Sequence, residues 1–154
     1  MNILLTGGTG FVGKAINEML DDHNVILTSR TNAIKNSSQY YKKNISSTEN
    51  FADCLIDIDV VIHTAARVHQ MNDLSDDPAV EFMETNCFGT LNLARQAAEA
   101  GVKRFIFLSS IKVNGEKSEI NKPFRFDDPR NPEDPYGKSK SEAELGLLKI
   151  SSEA

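Results

Sequence analysis

Residues 2–13 have the sequence NILLTGGTGFVG. The apolar run Asn2–Thr6 is typical of a buried strand, and it leads directly into a glycine-rich turn and then a helical pattern. The glycines fit G-x-G-x-x-G from Gly8 and G-x-x-G-x-x-G from Gly7. Glycine lets the backbone approach a pyrophosphate closely, and the helix N-terminus offers free N–H groups to its oxygens. After a first strand, this pattern predicts dinucleotide binding. Without that context it would be only a tight glycine-rich turn.

The rest of the chain alternates short apolar runs with helical patterns, which is typical of βαβ units and a parallel sheet. Further strands are predicted at Val25–Thr28, Gln39–Lys43 (a weak pattern), Asp59–His63 and Phe105–Ser109. Helices are predicted at Phe11–Leu20, from Ser46 to Leu55, from the cap Asp77 to Ala100, and from Tyr136 onward. Right-handed crossovers place the first strand at the centre. We therefore expect an α/β fold, a Rossmann-type three-layer αβα sandwich with a parallel sheet in the order 3-2-1-4-5.

Local patterns add detail to these elements. The apolar residues of the first helix share one face, and they are Phe11, Val12, Ala15, Ile16 and Met19. Ser46 and Glu49 have the spacing of a capping box, and Gly101 supplies a stop for the long helix. The polar stretch Arg67–Asp77 and residues 111–134 are predicted to be loops.

Length and composition limit the class of protein. With 154 residues, 40% hydrophobic and 25% charged, the chain is predicted to form one globular domain over residues 1–154. The net charge of −5 gives no reason to expect nucleic acid or a membrane as a partner. There is no apolar run of membrane-spanning length and no signal-peptide pattern, so we expect a cytoplasmic protein. Two cysteines and few histidines favour reduced thiols and no metal site.

The end of the second strand normally selects between NAD and NADP. An acidic residue there holds the ribose 2′-hydroxyl of NAD, whereas an arginine accommodates the 2′-phosphate of NADP. Here the strand ends Thr28-Ser29-Arg30, without an acidic residue. The sequence therefore predicts a cofactor site that includes Ser29 and Arg30 and favours NADP. The alternative is that Arg30 is a solvated loop charge and the site takes NAD without the usual carboxylate.

Tyr136 and Lys140 lie four residues apart at the start of a predicted helix and therefore share a face. An ammonium near a phenol stabilises the phenolate, which makes the tyrosine a usable acid or base for a sugar hydroxyl. The spacing alone is common, and its simpler interpretation is an exposed helix face.

The glycine turn, a strand ending in Ser109-Ser110, and the Tyr136–Lys140 pair occur in an order that resembles the extended short-chain dehydrogenase/reductase family. The resemblance covers essentially the whole chain and is closest to the UDP-glucose 4-epimerase-like branch of the NAD-dependent epimerases and dehydratases. The matching stretches are GGTGFVG, DVVIHTAA, Asn86 with Gly89-Thr90, FIFLSSIKVNG and DPYGKSK.

This resemblance implies roles for individual residues. The implied cofactor contacts are Gly7, Gly10, Phe11, Val12 and Gly13 in the turn, Ala65 and Ala66 after the fourth strand, and Asn86, Tyr136 and Lys140 near the nicotinamide. The implied catalytic residues are Ser110, which hydrogen-bonds the reacting oxygen, Tyr136, the acid/base, and Lys140, which tunes the tyrosine.

The implied activity is that of an NAD(P)-dependent nucleotide-sugar epimerase acting at the sugar C4 by hydride transfer. An NADP-dependent 4-keto nucleotide-sugar reductase would use the same residues, and Arg30 favours it. From a different class, a non-catalytic dinucleotide-binding scaffold or sensor remains open, although the intact Ser110, Tyr136 and Lys140 argue against it. Ile111 and Lys112 stand where the sugar dehydratases carry Asp-Glu, which disfavours dehydration. Asn44 replaces an aspartate that the family often has near the adenine.

The family continues beyond these elements with a further strand and a sugar-binding region, so we expect the C-terminal substrate region to be absent from this sequence and the chain by itself to be inactive toward a nucleotide sugar. The expected partners are a nucleotide-diphosphate sugar and a second copy of the chain. The long helix carries apolar residues on more than one stripe, which favours a homodimer through that helix and the last one. The alternative is that the surplus apolar residues pack against the last helix of their own chain.

Overall fold

The computed structural model describes residues 1–30, 40–68 and 77–153. Their strands are β1 (Asn2–Thr6), β2 (Asn24–Ser29), β3 (Tyr40–Lys42), β4 (Val60–His63) and β5 (Arg104–Phe107). Their α-helices are α1 (Phe11–Glu18), α2 (Pro78–Phe82), α3 (Thr90–Glu99) and α4 (Pro135–Glu153). A π-helical segment, Met83–Gly89, joins α2 to α3, and single 3₁₀ turns lie at Ala52–Cys54 and Ile111–Val113. In this part of the chain, no helix combines the length and apolar character needed to cross a membrane.

The five strands form one parallel sheet in the order β3-β2-β1-β4-β5, which confirms the predicted topology. In the register of the central strand, Leu4 lies between Ile26 of β2 and Val61 of β4. Because β1 is central, the glycine turn that follows it emerges where the strand order reverses. In open α/β sheets this reversal point opens a crevice at the carboxyl ends of the strands.

The main core lies between the sheet and α3. Leu4 and Val61 are fully buried on this face and pack with Leu93 and Ala97 of α3. Phe51 and Leu55, from the segment before β4, complete the same cluster. This packing fixes the long helix against the middle of the sheet, and it thereby fixes everything that the helix carries.

The predicted apolar face of the first helix is wrong as a core face, because Phe11 is 95% exposed and Met19 81% exposed. Val12 and Ala15 are exposed as well, and Ile16 is half-buried. The face toward the sheet is instead centred on the buried Gly13. Close contact between Gly13 and the turn sets the rotation of the helix about its axis, and this constraint outweighs the apolar pattern.

The predicted short helix from Ser46 to Leu55 is also wrong, since only the 3₁₀ turn Ala52–Cys54 forms. The reason is tertiary. The side-chain amide of Asn92 donates to the carbonyls of Ser46 and Glu49 at 3.0 and 2.8 Å, and that of Gln96 donates to Glu49 at 2.9 Å. The carbonyls of Ser46 and Glu49 therefore accept hydrogen bonds from α3 instead of the backbone hydrogen bonds of a local helix.

The remaining differences concern boundaries. The long helix runs from Pro78, capped by the Asp77 carboxylate, and stops at Gly101, whose φ is +78°, but its π-helical segment was not predicted. The last strand ends at Phe107, two residues before its predicted end. Gln39 and residues 69–76 of the predicted Arg67–Asp77 loop lie outside the described residues.

The contact between Gly13 and the turn gives a direct stability test. A Cβ at Gly13 would lie 2.2 Å from the carbonyl oxygen of Gly7, whereas one at Gly10 would lie 3.2 Å from it. We expect Gly13→Ala to lower the free energy of unfolding by about 2 kcal/mol or more, despite the better helix propensity of alanine. Gly10→Ala is the matched control and should cost clearly less. Urea unfolding of both variants measures this, and a Gly13→Ala chain at least as stable as the parent would contradict the steric argument.

Candidate functional site

A cleft of about 190 Å³ opens at the carboxyl ends of β1, β2, β3 and β4. Each of these strands contributes to its wall through the residues at or just beyond its last position. The cleft is lined by Gly7, Thr9, Gly10, Thr28, Ser29, Arg30, Lys43, Asn44, Ile45, Thr64, Ala65, Ala66, Arg67 and Thr85. This is the crevice in which an open α/β sheet binds its ligand.

The structure brings half of the predicted cofactor residues together in this cleft and places the others around it. The predicted residues that line it are Gly7, Gly10, Ser29, Arg30, Ala65 and Ala66. Phe11, Val12 and Gly13 form the first turn of α1 instead, and no side chain of the described residues caps that helix end. Gly10, the N-cap residue of α1, lines the cleft, so the N-terminal end of this helix lies at that edge of the cleft. Asn86, Tyr136 and Lys140 are not part of the lining.

The charged corner of the cleft lies beyond β2. Arg30 is exposed and forms no ion pair within the described ranges, whereas the ammonium of Lys43 lies 2.7 Å from Asp53 and 3.9 Å from Glu49. The phenol of Tyr40 contacts the carbonyl and the hydroxyl of Ser29, both at 3.1 Å. Among the described residues of this corner, Arg30 is thus the cation without an acidic partner, and it can meet an anionic group of a ligand.

Tyr136 lies in the first turn of α4, and that turn packs directly on the segment that follows Ser110. The Asp134 carboxylate accepts a hydrogen bond from the Gly137 N–H at 2.6 Å. It also forms an ion pair with the ammonium of Lys112 at 2.6 Å. A Cβ at Gly137 would lie 2.7 Å from the Lys112 carbonyl oxygen, so only glycine allows this approach. The predicted catalytic serine and tyrosine are therefore held in adjacent segments, although no hydrogen bond joins their hydroxyls among the described residues.

Lys140 lies one turn after Tyr136 and is only 2% exposed. Its ammonium sits 4.0 Å from the centre of the Phe107 ring. Burial lowers the pKa of Lys140 to about 8, and the negative charge of Glu144 opposes this effect. The Tyr136 ring packs edge-on against Phe82 with the centroids 6.1 Å apart. The structure therefore combines a phenol with a desolvated, still largely protonated amine on the same helix face.

His63, at the end of β4, is a buried hub that the sequence analysis missed. Its Nδ1 lies 2.6 Å from the Thr6 hydroxyl and its Nε2 lies 2.9 Å from the Thr90 hydroxyl. The Thr90 hydroxyl donates to the Asn86 carbonyl, so it accepts from Nε2–H and leaves Nδ1 to accept from Thr6. Burial, and then the charge of Lys140, lower the pKa of His63 to about 3. The imidazole is therefore neutral and has a defined tautomer.

Asn86 clamps the cleft wall to α4 from its buried position in the π-helical segment. Its side-chain oxygen accepts from the Arg67 N–H at 2.8 Å, and its amide donates to the Arg67 carbonyl at 3.0 Å. The same amide donates to the Ser139 hydroxyl at 3.1 Å, and Ser139 donates to the Tyr136 carbonyl at 2.7 Å. Asn86 therefore acts on the predicted site by holding the backbone of Arg67 and, through Ser139, the backbone of Tyr136.

Other cleft residues were also missed, among them Thr9, Thr28, Lys43, Thr64, Arg67 and Thr85. Thr28, Lys43 and Thr64 each lie at or directly after a strand end, and the rule that ligands bind at the carboxyl ends of parallel strands could have found them. Thr85 carries no such signal, since only the packing of the long helix brings it to the cleft.

Comparison with known proteins decides the family. The model of the NAD-dependent epimerase/dehydratase family matches residues 3–154. The chain is 43% identical over 157 residues to a UDP-glucose 4-epimerase of Vibrio cholerae, covering 99% of this chain and 48% of that enzyme. It is 32% identical to a dTDP-D-glucose 4,6-dehydratase of Mus musculus, covering 92% of this chain and 44% of that protein. The chain belongs to the NAD-dependent epimerase/dehydratase family.

Solved structures agree with this assignment. The structure of MoeE5 in complex with UDP-glucose and NAD superposes with a TM-score of 0.84 at 28% identity, covering 99% of this chain and 50% of that one. This member of the epimerase/dehydratase family thus spans about half the length of the relatives that it matches. In this member, Lys112 occupies a position where the resemblance places an acidic residue in the dehydratases, and it pairs with Asp134 and Glu116.

The burial of Lys140 predicts a pH-dependent gain in stability when its charge is removed. Below pH 8 the amine is protonated in both folded and unfolded chains, so folding desolvates an ammonium. We expect Lys140→Met to raise the free energy of unfolding at pH 7 by about 2 kcal/mol or more. Between pH 8 and 10.5 only the unfolded chain holds the proton, so the parent gains stability and the difference shrinks.

Urea unfolding between pH 7 and pH 10 measures this difference, with the exposed Lys138→Met on the same helix as the control. A Lys140→Met chain that is less stable than the parent at every pH would show that the ammonium is stabilised where it lies.

Proposed function

We propose that the protein is an NAD(P)-dependent nucleotide-sugar epimerase of the UDP-glucose 4-epimerase type, acting at the sugar C4 through Ser110, Tyr136 and Lys140. The observation that carries this proposal is the amine of Lys140, buried one helical turn from Tyr136 in the helix that packs against the Ser110 turn. The 43% identity to a UDP-glucose 4-epimerase supports it.

The cleft residues fit a dinucleotide. The first turn of α1 presents uncapped N–H groups beside Gly10, which suits a pyrophosphate. The small residues Ala65 and Ala66, which line the same cleft, leave room for a flat ring system. When bound, the dinucleotide supplies a hydride acceptor that takes a hydride from the sugar C4 and returns it.

The chain's own groups manage the proton. Tyr136 removes the C4 hydroxyl proton while the hydride leaves the same carbon, and it gives the proton back when the hydride returns. Lys140 places its ammonium on the same helix face, one turn from the phenol. Ser110 holds the reacting oxygen by a hydrogen bond. Return of the hydride to the opposite face of the sugar inverts C4.

A reductase is the second candidate, and Arg30 is the observation that favours it. An exposed guanidinium at the end of β2, together with the absence of an acidic residue there, suits the 2′-phosphate of NADP. A reductase exchanges NADPH for NADP in each turnover, whereas an epimerase regenerates its cofactor. Both candidates use Tyr136 in the same way.

A second copy of the chain remains the proposed partner. Fewer apolar residues of the long helix are available for this contact than the sequence implied. Within the long helix, Phe82, Cys87, Leu91, Leu93, Ala94 and Ala97 are buried in their own chain. A Cβ at Gly146 of α4 would lie 2.5 Å from Leu91, so α4 takes up part of the predicted surplus. Val80 and Phe88, together with Leu145 and Leu148 of α4, remain exposed for a homodimer.

The activity test uses the full-length protein with UDP-glucose, UDP-galactose and their N-acetylated relatives. An epimerase interconverts the C4 epimers without added cofactor, and a reductase consumes NADPH stoichiometrically. Tyr136→Phe keeps the ring that packs on Phe82, so nucleotide binding should survive while turnover falls by about 100-fold or more. Tyr41→Phe, which alters a tyrosine packed on the core, is the matched control. Near-normal turnover of Tyr136→Phe would reject the catalytic assignment.

The cofactor test concerns Arg30→Asp. The substitution removes the cation that faces a 2′-phosphate and introduces a carboxylate that suits a 2′-hydroxyl. We expect the dissociation constant for NADP to rise about tenfold or more and that for NAD to stay constant or fall. Lys149→Asp makes the same charge change at the far end of α4 and controls for net charge. Equal losses for both nucleotides would show that Arg30 does not read the 2′ position.

A further inference from the structure

Glu144 uses both oxygens of its carboxylate to join two segments that flank the proposed active site. It lies on α4, one turn after Lys140 and two turns after Tyr136. Its Oε1 accepts a hydrogen bond from the Ser109 hydroxyl at 2.5 Å, and its Oε2 accepts from Arg130 Nε at 3.0 Å. The side chain is 26% exposed, so these bonds are partly shielded from water.

The bond to Ser109 fixes the chain where it leaves the sheet. The β4–β5 ladder ends with the pairing of His63 and Phe107, and the last backbone bond runs from the Leu108 N–H to the His63 carbonyl at 3.0 Å. Beyond Leu108, the hydroxyl of Ser109 is held by Glu144, and Ser110 then opens the 3₁₀ turn Ile111–Val113. Glu144 therefore holds the residue directly before Ser110.

The bond to Arg130 holds the other side of the same turn. The next residue, Asn131, donates its N–H to the Val113 carbonyl at 2.9 Å. Three residues further, Asp134 caps the first turn of α4. Arg130 thus brings the end of the long loop onto α4, and this loop end contacts the turn that begins at Ser110. The Glu144 carboxylate therefore joins three segments: Ser109, directly before Ser110; the loop end at Arg130; and α4, which carries Tyr136.

Glu144 also acts on the charge of its neighbour Lys140. The titratable groups coupled to Lys140 are His63, from β4, whose own pKa Lys140 lowers, and Glu144, from α4 itself. Of these two groups, Glu144 is the one that carries a negative charge. Its effect on the pKa of Lys140 opposes that of burial.

We propose that Glu144 is a positioning residue that, through its bonds to Ser109 and Arg130, holds Ser110 in place relative to Tyr136. The catalytic consequence rests on the proposed function, whereas the structural and electrostatic consequences can be measured without activity. Glu144→Gln keeps the size of the side chain and one acceptor oxygen but removes the charge. Ser109→Ala removes only the hydroxyl that Glu144 holds.

The first experiment is an NMR titration of the chain labelled with ¹³C-lysine, in which the Lys140 signal is assigned by its absence from Lys140→Met. We expect Glu144→Gln to lower the pKa of Lys140 by about half a unit or more, because a nearby negative charge is lost. Glu142→Gln, an exposed acid on the same helix, is the matched control and should change it less. An unchanged Lys140 pKa in a folded Glu144→Gln chain overturns the electrostatic consequence of the Glu144 charge.

The second experiment measures amide hydrogen exchange in Ser109→Ala, which also covers the case in which Glu144→Gln fails to fold. Exchange should accelerate by about tenfold or more at residues 109–113 and remain unchanged in β1 and α3. Unchanged exchange at residues 109–113 overturns the role of Glu144 in holding this segment.

The activity readout separates a positioning role from a merely structural one. In the active enzyme, Glu144→Gln should lower kcat more than it raises KM, and the alkaline limb of the kcat profile should move to lower pH together with the Lys140 pKa. A kcat profile identical to that of the parent overturns the proposal. If the parent enzyme shows no turnover of any nucleotide sugar, the proposed function fails, and the titration and exchange data still decide what Glu144 does.

Discussion

The arrangement of the site depends on one directed chain of hydrogen bonds through the middle of the fold. The Ala65 N–H donates to the Thr6 hydroxyl, which donates to His63 Nδ1, and His63 Nε2–H reaches the Asn86 carbonyl through Thr90. This chain passes from the cleft wall through β1 and β4 into the long helix. It forms in a region from which water is excluded, where an unpaired polar group would be costly. Each donor therefore has one partner, and the three elements hold one relative position.

The same buried region accounts for the unfavourable environment of Lys140. A protonated imidazole next to this amine would add a like charge, and burial together with Lys140 lowers the pKa of His63 so that this charge is absent. Burial still lowers the pKa of Lys140 to about 8. Charged groups in surroundings that disfavour their charge are common at sites of proton transfer. Such groups lower the stability of the fold in exchange for function.

Local sequence patterns predicted the fold well where the packing of the folded chain favours the same structure as the pattern. The glycine turn, the Asp77 cap and the stop at Gly101 depend on residues that are close in sequence. The strand order follows from the handedness of the crossovers between successive strands. The errors arose where a distant contact competes with a local pattern. Asn92 and Gln96 lie more than 40 residues from the carbonyls that they bind, and nothing in the sequence around Ser46 indicates them.

The candidate site divides in the same way. Its cleft residues follow strand ends, so Gly7, Ser29 and Ala65 could be placed from the sequence. His63 and Glu144 could not, because their partners come from separate segments. Ser109 is 35 residues from Glu144, and Thr6 is 57 residues from His63. Only the closed sheet and the docked α4 bring these groups together.

The π-helical segment sets the rotation of α2 relative to α3 about the axis of the long helix. In an ideal α-helix each residue advances by about 100°, so the wider turns of Met83–Gly89 offset the face before the segment from the face after it. This offset lets Phe82 meet the Tyr136 ring while Leu93 points into the core beneath the sheet. Deleting a single residue from the segment would restore an ordinary helix and rotate α2 away from α4 without disturbing α3. The number of residues in this segment, as much as their identity, is therefore under constraint.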